Sequence, residues 1–207
     1  MTEATSGEID PAALAAAIKA FYEVADDEMR ARWARSLPVA EVVLDRWERA
    51  ERLGFGPGAS IYNSALVYGD VSVGERSWIG PNVVLDGSGG GLSIGSWCSI
   101  SAGVQIYTHD TVAWSLSAGA SDRVTKPVSI GDRCHIGAGA VVAPGVAIGD
   151  GCVVGAQSFV KSDVPDGVVV AGSPARALGI VAGTGTAVEV HTDPDAQEEA
   201  RQRYPPS

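Results

Sequence analysis

VTKPVSIGDRCHIGAGAVVAPGVAIGDGCVVGAQSFVKSDV, residues 124–164, carries an aliphatic residue every six positions: Ile130, Ile136, Val142, Ile148, Val154 and Val160. Gly or Ala usually follows, as in Gly131, Gly137, Ala143, Gly149 and Gly155, with Lys161 the exception. A second series, Cys134, Ala140, Val146, Cys152, Ser158 and Val164, recurs four places after each aliphatic residue. A fixed short period, unlike that of a helix or a lone strand, marks a solenoid. Each rung has an apolar side that only its neighbours can cover. The aliphatic slot points inward from a short flat strand, the Gly slot sits where the backbone turns, and the second series fills a corner.

Working outward, the same period runs more weakly through Ile61, Val67, Val73, Ile79 and Leu85. It slips by three across 86–91, read as a loop projecting from one corner, and resumes at Ile94, Ile100 and Ile106. From Tyr107 to Arg123 it fails altogether, polar and aromatic residues collect, and the repeat returns at Val124. Loops thrown out of a rigid scaffold are where function concentrates. Upstream, residues 1–9 read as a frayed terminus. Asp10-Pro11 opens a helix with Leu14, Ile18, Phe21, Ala25, Met29 and Trp33 on one stripe, ending near Ser36. Pro38 opens a second helix that Gly54 stops. The expected division is a helical element over 1–58, the solenoid over 59–178 with the loop 107–123, and a flexible tail over 179–207 with a short helix near Ala196 to Arg203.

Composition narrows the function. The chain has 207 residues, 45% apolar but only 6% aromatic, with 26 glycines, which suits a narrow repetitive core. Fifteen Lys and Arg against 25 Asp and Glu give a net charge of -10, which argues against general attraction to nucleic acid or anionic membrane. An anionic ligand must be met by local cations. Three Cys without CxxC spacing, no signal-peptide pattern and no apolar run long enough for a bilayer lead to the expectation of a cytoplasmic protein with reduced thiols.

Chemistry-bearing residues are few. Histidine occurs at 109, 135 and 191. His109, in Tyr107-Thr108-His109-Asp110, follows the inward Ile106 by three and stands where the repeat breaks. Its imidazole can take a proton from a hydroxyl or amine; the plainer reading is an ordinary loop histidine. His135 occupies an outward slot beside Ile136, either lining the same groove or lying on the surface, and His191 falls in the tail. Zinc would need three or more convergent ligands, and the solenoid holds two His with no close pair and no Cys-His cluster, so no metal site is expected. Cys134 and Cys152, 18 residues apart, should stack in adjacent turns at about 4.8 Å as core filling.

The run 126–139, KPVSIGDRCHIGAG, followed by PGVAIGD at 144–150, SDVP at 162–165 and AGSPAR at 171–176, resembles the hexapeptide-repeat acyltransferases. The group it is most similar to is the sugar O-acetyltransferases, and the resemblance spans about 59–178. It implies a mainly β fold, a left-handed parallel β-helix of triangular section, assembled as a homotrimer with active sites between subunits. It further implies acetyl-CoA as acyl donor and a sugar or polysaccharide precursor as acceptor. In that scheme His109 is the general base for direct transfer and the amide of Ala138 faces the thioester. Ala156 holds the pantetheine arm, and Arg176 lies near the adenosine phosphate. Lys161 replaces a common Thr, His135 a common Trp and Gly179 a basic residue of some members. Trp78, Asn82 and Asp86 are candidates for the acceptor pocket, with Asp110 beside the base; a packed subunit contact for Trp78 and a turn role for Asp86 are the plainer readings. Three other functions remain open: N-acylation of an amino sugar or nucleotide-linked amino sugar, a metalloenzyme resembling gamma-class carbonic anhydrases, and a non-catalytic β-helix.

Overall fold

The computed structural model describes residues 10–205, which fall into two compact units that divide between Asp45 and Arg46. The expectation for residues 1–9 lies outside the described residues.

In the first unit, α1 (Pro11–Trp33) starts where expected: the Asp10 side chain accepts from the Ala12 amide and Pro11 fills the first turn. It ends three residues earlier than expected because Ala34 turns into the left-handed region. Its stripe residues Leu14, Ile18, Phe21 and Trp33 stay exposed. The second expected helix is two: α2 (Val39–Val42) and, opening the second unit, α3 (Arg46–Arg52). Val43, Leu44 and Asp45, the last an N-cap residue type, separate them.

The second unit is a triangular parallel β-helix. Its first face stacks Ser60–Ile61, Trp78–Ile79, Ser99–Ile100, His135–Ile136, Val153–Val154 and Val168–Ala171 in parallel register. The long strands Leu66–Val73 and Val84–Ile94 run from the second face round a corner into the third. Gln105–Tyr107, Val141–Val142 and Phe159–Val160 continue the second face; Val128–Ile130 and Ala147–Ile148 continue the third. The six-residue slots fall as read: Ile79, Ile100, Ile136 and Val154 inside the first face, Leu85, Ile106, Val142 and Val160 inside the second, Ile94, Ile130 and Ile148 inside the third, all buried. Stacked strands of this kind bury their apolar sides only against each other, so the core is a continuous column and not a set of separate clusters.

Four details depart from the periodicity. The slip at 86–91 is not a projecting loop: these residues stay within the strand Val84–Ile94, pairing Asp86 with Tyr68 and Gly87 with Gly69 before a bulge returns Leu92 to Val71. Glycine permits this, because a Cβ at Gly87 would strike the Asp70 carbonyl. Val124 does not restart the coil: Val124–Thr125 pairs antiparallel with His109–Asp110 as the stem of the long loop, and the coil resumes at Val128. Val164 takes an inward strand position opposite Ile148, 16 residues away, because the Asp163 side chain accepts from the Ala147 amide and shortens the last coil. Part of the expected tail over 179–207 is ordered: the chain forms an antiparallel pair of strands, Arg176–Ala182 and Glu189–His191, before α5 (Pro194–Arg203), the short helix expected near Ala196 to Arg203. Ala196, Ala200 and Tyr204 are buried there, a burial that the polar composition of the segment conceals.

Candidate active site

Three coils meet at the corner between the second and third faces, and there the chain sets a carboxylate against an imidazole. Asp86, in register with Tyr107, is only 3% exposed. Its Oδ1 accepts from the Ser88 amide at 3.0 Å and the Ser88 hydroxyl at 2.6 Å, while Oδ2 lies 2.7 Å from Nδ1 of His109. A buried carboxylate must be satisfied in this way or it costs several kcal/mol (about 3–5). The pairing places the proton on Nδ1 and leaves Nε2 with a free lone pair, on a side chain 27% exposed.

The backbone around the pair is fixed by the buried Thr108. Its hydroxyl donates to the Asp86 carbonyl at 2.7 Å and accepts from the Gly89 amide at 2.8 Å, and its carbonyl accepts from the Lys126 amide. Gly89 is needed for close approach: a Cβ there would run into the Thr108 backbone and come within 2.8 Å of the His109 Cβ. Beyond His109 the loop carries α4 (Val112–Leu116), whose Val112, Trp114 and Leu116 are exposed.

The other expected site residues are dispersed. Asp86, expected in the acceptor pocket, is buried with its carboxylate engaged by Ser88 and His109. Asp110 is half-buried and accepts from the Val112 amide at 3.1 Å, starting the loop helix. Ala138 and Ala156 are exposed one above the other at the opposite corner, between the first and second faces. The coil-to-coil ladder there uses the flanking amides of Gly137, Gly139, Gly155 and Gln157. Lys161 and Arg176 are exposed, and Arg176 Nη1 donates to the Ala175 carbonyl. Trp78 is half-buried and makes an edge contact with Tyr62 at 6.1 Å. Asn82 sits at a turn with φ 56°, its amide on Ser64 Oγ. His135 is exposed on the first face between Ser99 and Val153, and His191 lies 3.8 Å from Glu189. The sequence reading missed Ser88 and Thr108, whose roles come from a bulge that periodicity does not foresee.

Among the described residues no group of three or more His, Cys, Asp or Glu is gathered so as to hold a metal ion, and no helix is long and apolar enough to cross a membrane.

The chain matches the family described as "Hexapeptide repeat of succinyl-transferase" over residues 70–108 and 127–161. It is 40% identical over 141 residues to nodulation protein L of Rhizobium meliloti (strain 1021), covering 65% of this chain and 76% of that protein. With nodulation protein L of Rhizobium leguminosarum bv. viciae it shares 41% identity over 138 residues, 64% of this chain and 72% of the relative. A hexapeptide-repeat-containing acetyltransferase of Vibrio cholerae O1 biovar eltor, solved with acetyl coenzyme A, superposes with TM-score 0.59 at 28% identity over 87% of this chain and 92% of that one. A variant of AntD, an N-acyltransferase of Bacillus cereus solved with dTDP and coenzyme A, gives TM-score 0.56 at 26% identity over 61% of this chain and 72% of that one. Six-residue sides, parallel triangular stacking and these likenesses agree: the chain belongs to the hexapeptide-repeat acyltransferase family, whose fold is a left-handed parallel β-helix.

Proposed function

We propose that this protein transfers an acyl group, acetyl in the first instance, from coenzyme A to a hydroxyl of a sugar or polysaccharide precursor, with His109 as general base. The observation that carries the reading is the 2.7 Å contact between His109 Nδ1 and the buried Asp86, which orients the imidazole and leaves Nε2 to act. Nε2 takes the acceptor proton as its oxygen attacks the thioester carbonyl. A backbone amide at Ala138 stabilises the oxyanion, and the thiolate of coenzyme A leaves and takes up a proton. The acetyl coenzyme A of the Vibrio structure supports the donor. The AntD likeness keeps N-acylation of a nucleotide-linked amino sugar as the second reading, since a neutral amine is deprotonated by the same imidazole.

Topology supports a site shared between subunits. Gly103 lies against Gly139 at the Ala138 corner, and His109 follows Gly103 by six residues, one full side of the triangle. At about 3.3 Å per residue that side is about 20 Å long, too far for His109 to reach a thioester held at Ala138 of its own chain. The face between these corners carries an outward column of Leu66, Val84, Gln105, Val141 and Phe159, which is apolar except for Gln105. Packing this column about a three-fold axis covers apolar surface and brings the His109 corner of one chain to the Ala138 corner of the next. Lys161 and Arg176 then supply the local cations that an acidic protein needs for the phosphates of coenzyme A.

A thiol-release assay against a panel of sugars, nucleotide sugars and amines identifies the acceptor. With it, His109→Ala is expected to lower turnover by about 10²- to 10⁴-fold while barely changing the Michaelis constant for acetyl-CoA. Near-normal turnover in the folded variant would refute the base and move the search to Asp110 and its loop.

A further inference from the structure

An open trough of about 390 Å³ lies along the third face, and its near edge adjoins the His109 corner. A run of three glycines makes the link. Gly89 packs against the Thr108 backbone and the His109 Cβ, and the next two, Gly90 and Gly91, line the trough. Both have positive φ, 128° and 95°, which glycine adopts without strain. They also keep the passage free of side chains. A Cβ at Gly90 would press on the Pro127 nitrogen at 3.2 Å, and one at Gly91 would stand 3.5 Å from Asp70 Oδ2. Pro127, itself in the lining, follows Lys126, whose amide donates to the Thr108 carbonyl at 2.8 Å. The trough therefore starts at the foot of the strand pair that carries His109.

Its floor is polar and repeats. Ser72, Ser93 and Ser129 are exposed and in register on successive coils, with steps of about 4.8 Å. Their hydroxyls, like the exposed carboxylate of Asp70 at one end, take no hydrogen-bond or ion-pair partner among the described residues. No cation lines the trough. The Lys126 side chain lies over Gly145 at the other end, and the Asp163 carboxylate accepts from the Ala147 amide just beyond it. Two carboxylates against one ammonium give a diphosphate no net attraction, whereas sugar hydroxyls can bond to Asp70 and to the serines. The step between serines is close to the length of one pyranose unit in a linear chain, and three steps from Ser72 to Ala147 span about 14 Å, more than a single ring.

We propose that the trough holds the distal rings of the acceptor, so that the substrate acylated at His109 is a neutral oligosaccharide and neither a single sugar nor a nucleotide diphosphate sugar. The inference rests on His109 being the base for acyl transfer. Contacts to rings remote from the reacting hydroxyl then raise kcat/KM.

Thiol release from acetyl-CoA by the full-length protein tests the idea, with the methyl glycosides of glucose, galactose and N-acetylglucosamine, the β-1,4-linked trisaccharide of each, and UDP-glucose as acceptors. At least one trisaccharide is expected to exceed its monosaccharide about tenfold or more in kcat/KM, and to exceed UDP-glucose. Ser93→Trp, which fills the middle of the trough from an exposed position, should bring that ratio down to about one. Asp70→Ala should lower it about threefold or more, and it decides the matter should Ser93→Trp fail to fold. A ratio near one in the wild type, no transfer to any trisaccharide, a preference for UDP-glucose, or an undiminished ratio in either folded variant would overturn the proposal. Failure of the base reads differently. Near-normal turnover of His109→Ala with the trisaccharide preference intact would overturn the base and leave the trough; an inactive His109→Ala beside a wild type without that preference would overturn the trough alone.

Discussion

His109 has chemistry to offer because Asp86 holds one of its nitrogens. Asp86→Asn keeps the shape of the side chain but removes the charge that fixes the Nδ1 tautomer. Turnover should fall by at least about tenfold, with the Michaelis constant for acetyl-CoA unchanged, because the residue touches the imidazole and not the donor. A raised Michaelis constant at normal turnover would return Asp86 to a substrate-binding role. The wild-type rate should also fall at acidic pH, where imidazolium has no lone pair to accept a proton. In the sequence His109 stood out because the repeat breaks around it, whereas the role of Asp86 was hidden. A lone Asp before Gly-Ser-Gly reads as a turn residue, and only the bulge that returns the strand to register brings its carboxylate under the histidine.

At the scale of the element, the coil was the most legible feature because a single inward residue every six positions leaves one way to bury them all. The corner column shows the same logic. Cys134 and Cys152 are buried as expected, and Cys98 joins them one coil below, donating to the Gly131 carbonyl as Cys134 donates to that of Gly149 and Cys152 to that of Pro165. Hydrogen bonding to the Cys152 and Cys98 sulfurs, then burial, raises the Cys134 thiol above its ordinary range. Hydrogen bonds to Cys134 lower the Cys98 thiol to about 7 and hold the Cys152 thiol below its ordinary range, so it is burial that should keep all three from a maleimide reagent until the protein is denatured; rapid labelling without denaturant would contradict the column. Less legible were the elements whose burial depends on distant partners. The 176–203 segment reads as polar and Gly-rich, yet its strands add to the end of the first face. Asp193 caps α5 by accepting from the amides of Asp195 and Ala196. The second helix is split for a local reason, since Asp45, an N-cap residue type, stands directly before the helix that opens at Arg46.

At the scale of the whole molecule, a net charge of -10 makes each cation along the donor path matter. Arg176→Ala should raise the apparent constant for acetyl-CoA and leave what remains less sensitive to salt than in the wild type, and an unchanged affinity would displace the donor from that corner. The larger claim is that no chain completes a site alone, since His109 and Ala138 stand at opposite ends of one face. Mixed trimers test it most directly. His109→Ala removes the base and leaves the donor corner intact; Ala156→Trp fills the exposed donor corner and leaves the base. Each variant alone should assemble as a trimer by sedimentation and be nearly inactive. Refolded together in equal amounts, they should regain about a quarter of wild-type activity, because that fraction of interfaces pairs an intact histidine with an intact donor corner. A mixture that assembles as trimers and stays as inactive as its parents would contradict the shared site and place the reaction within one chain.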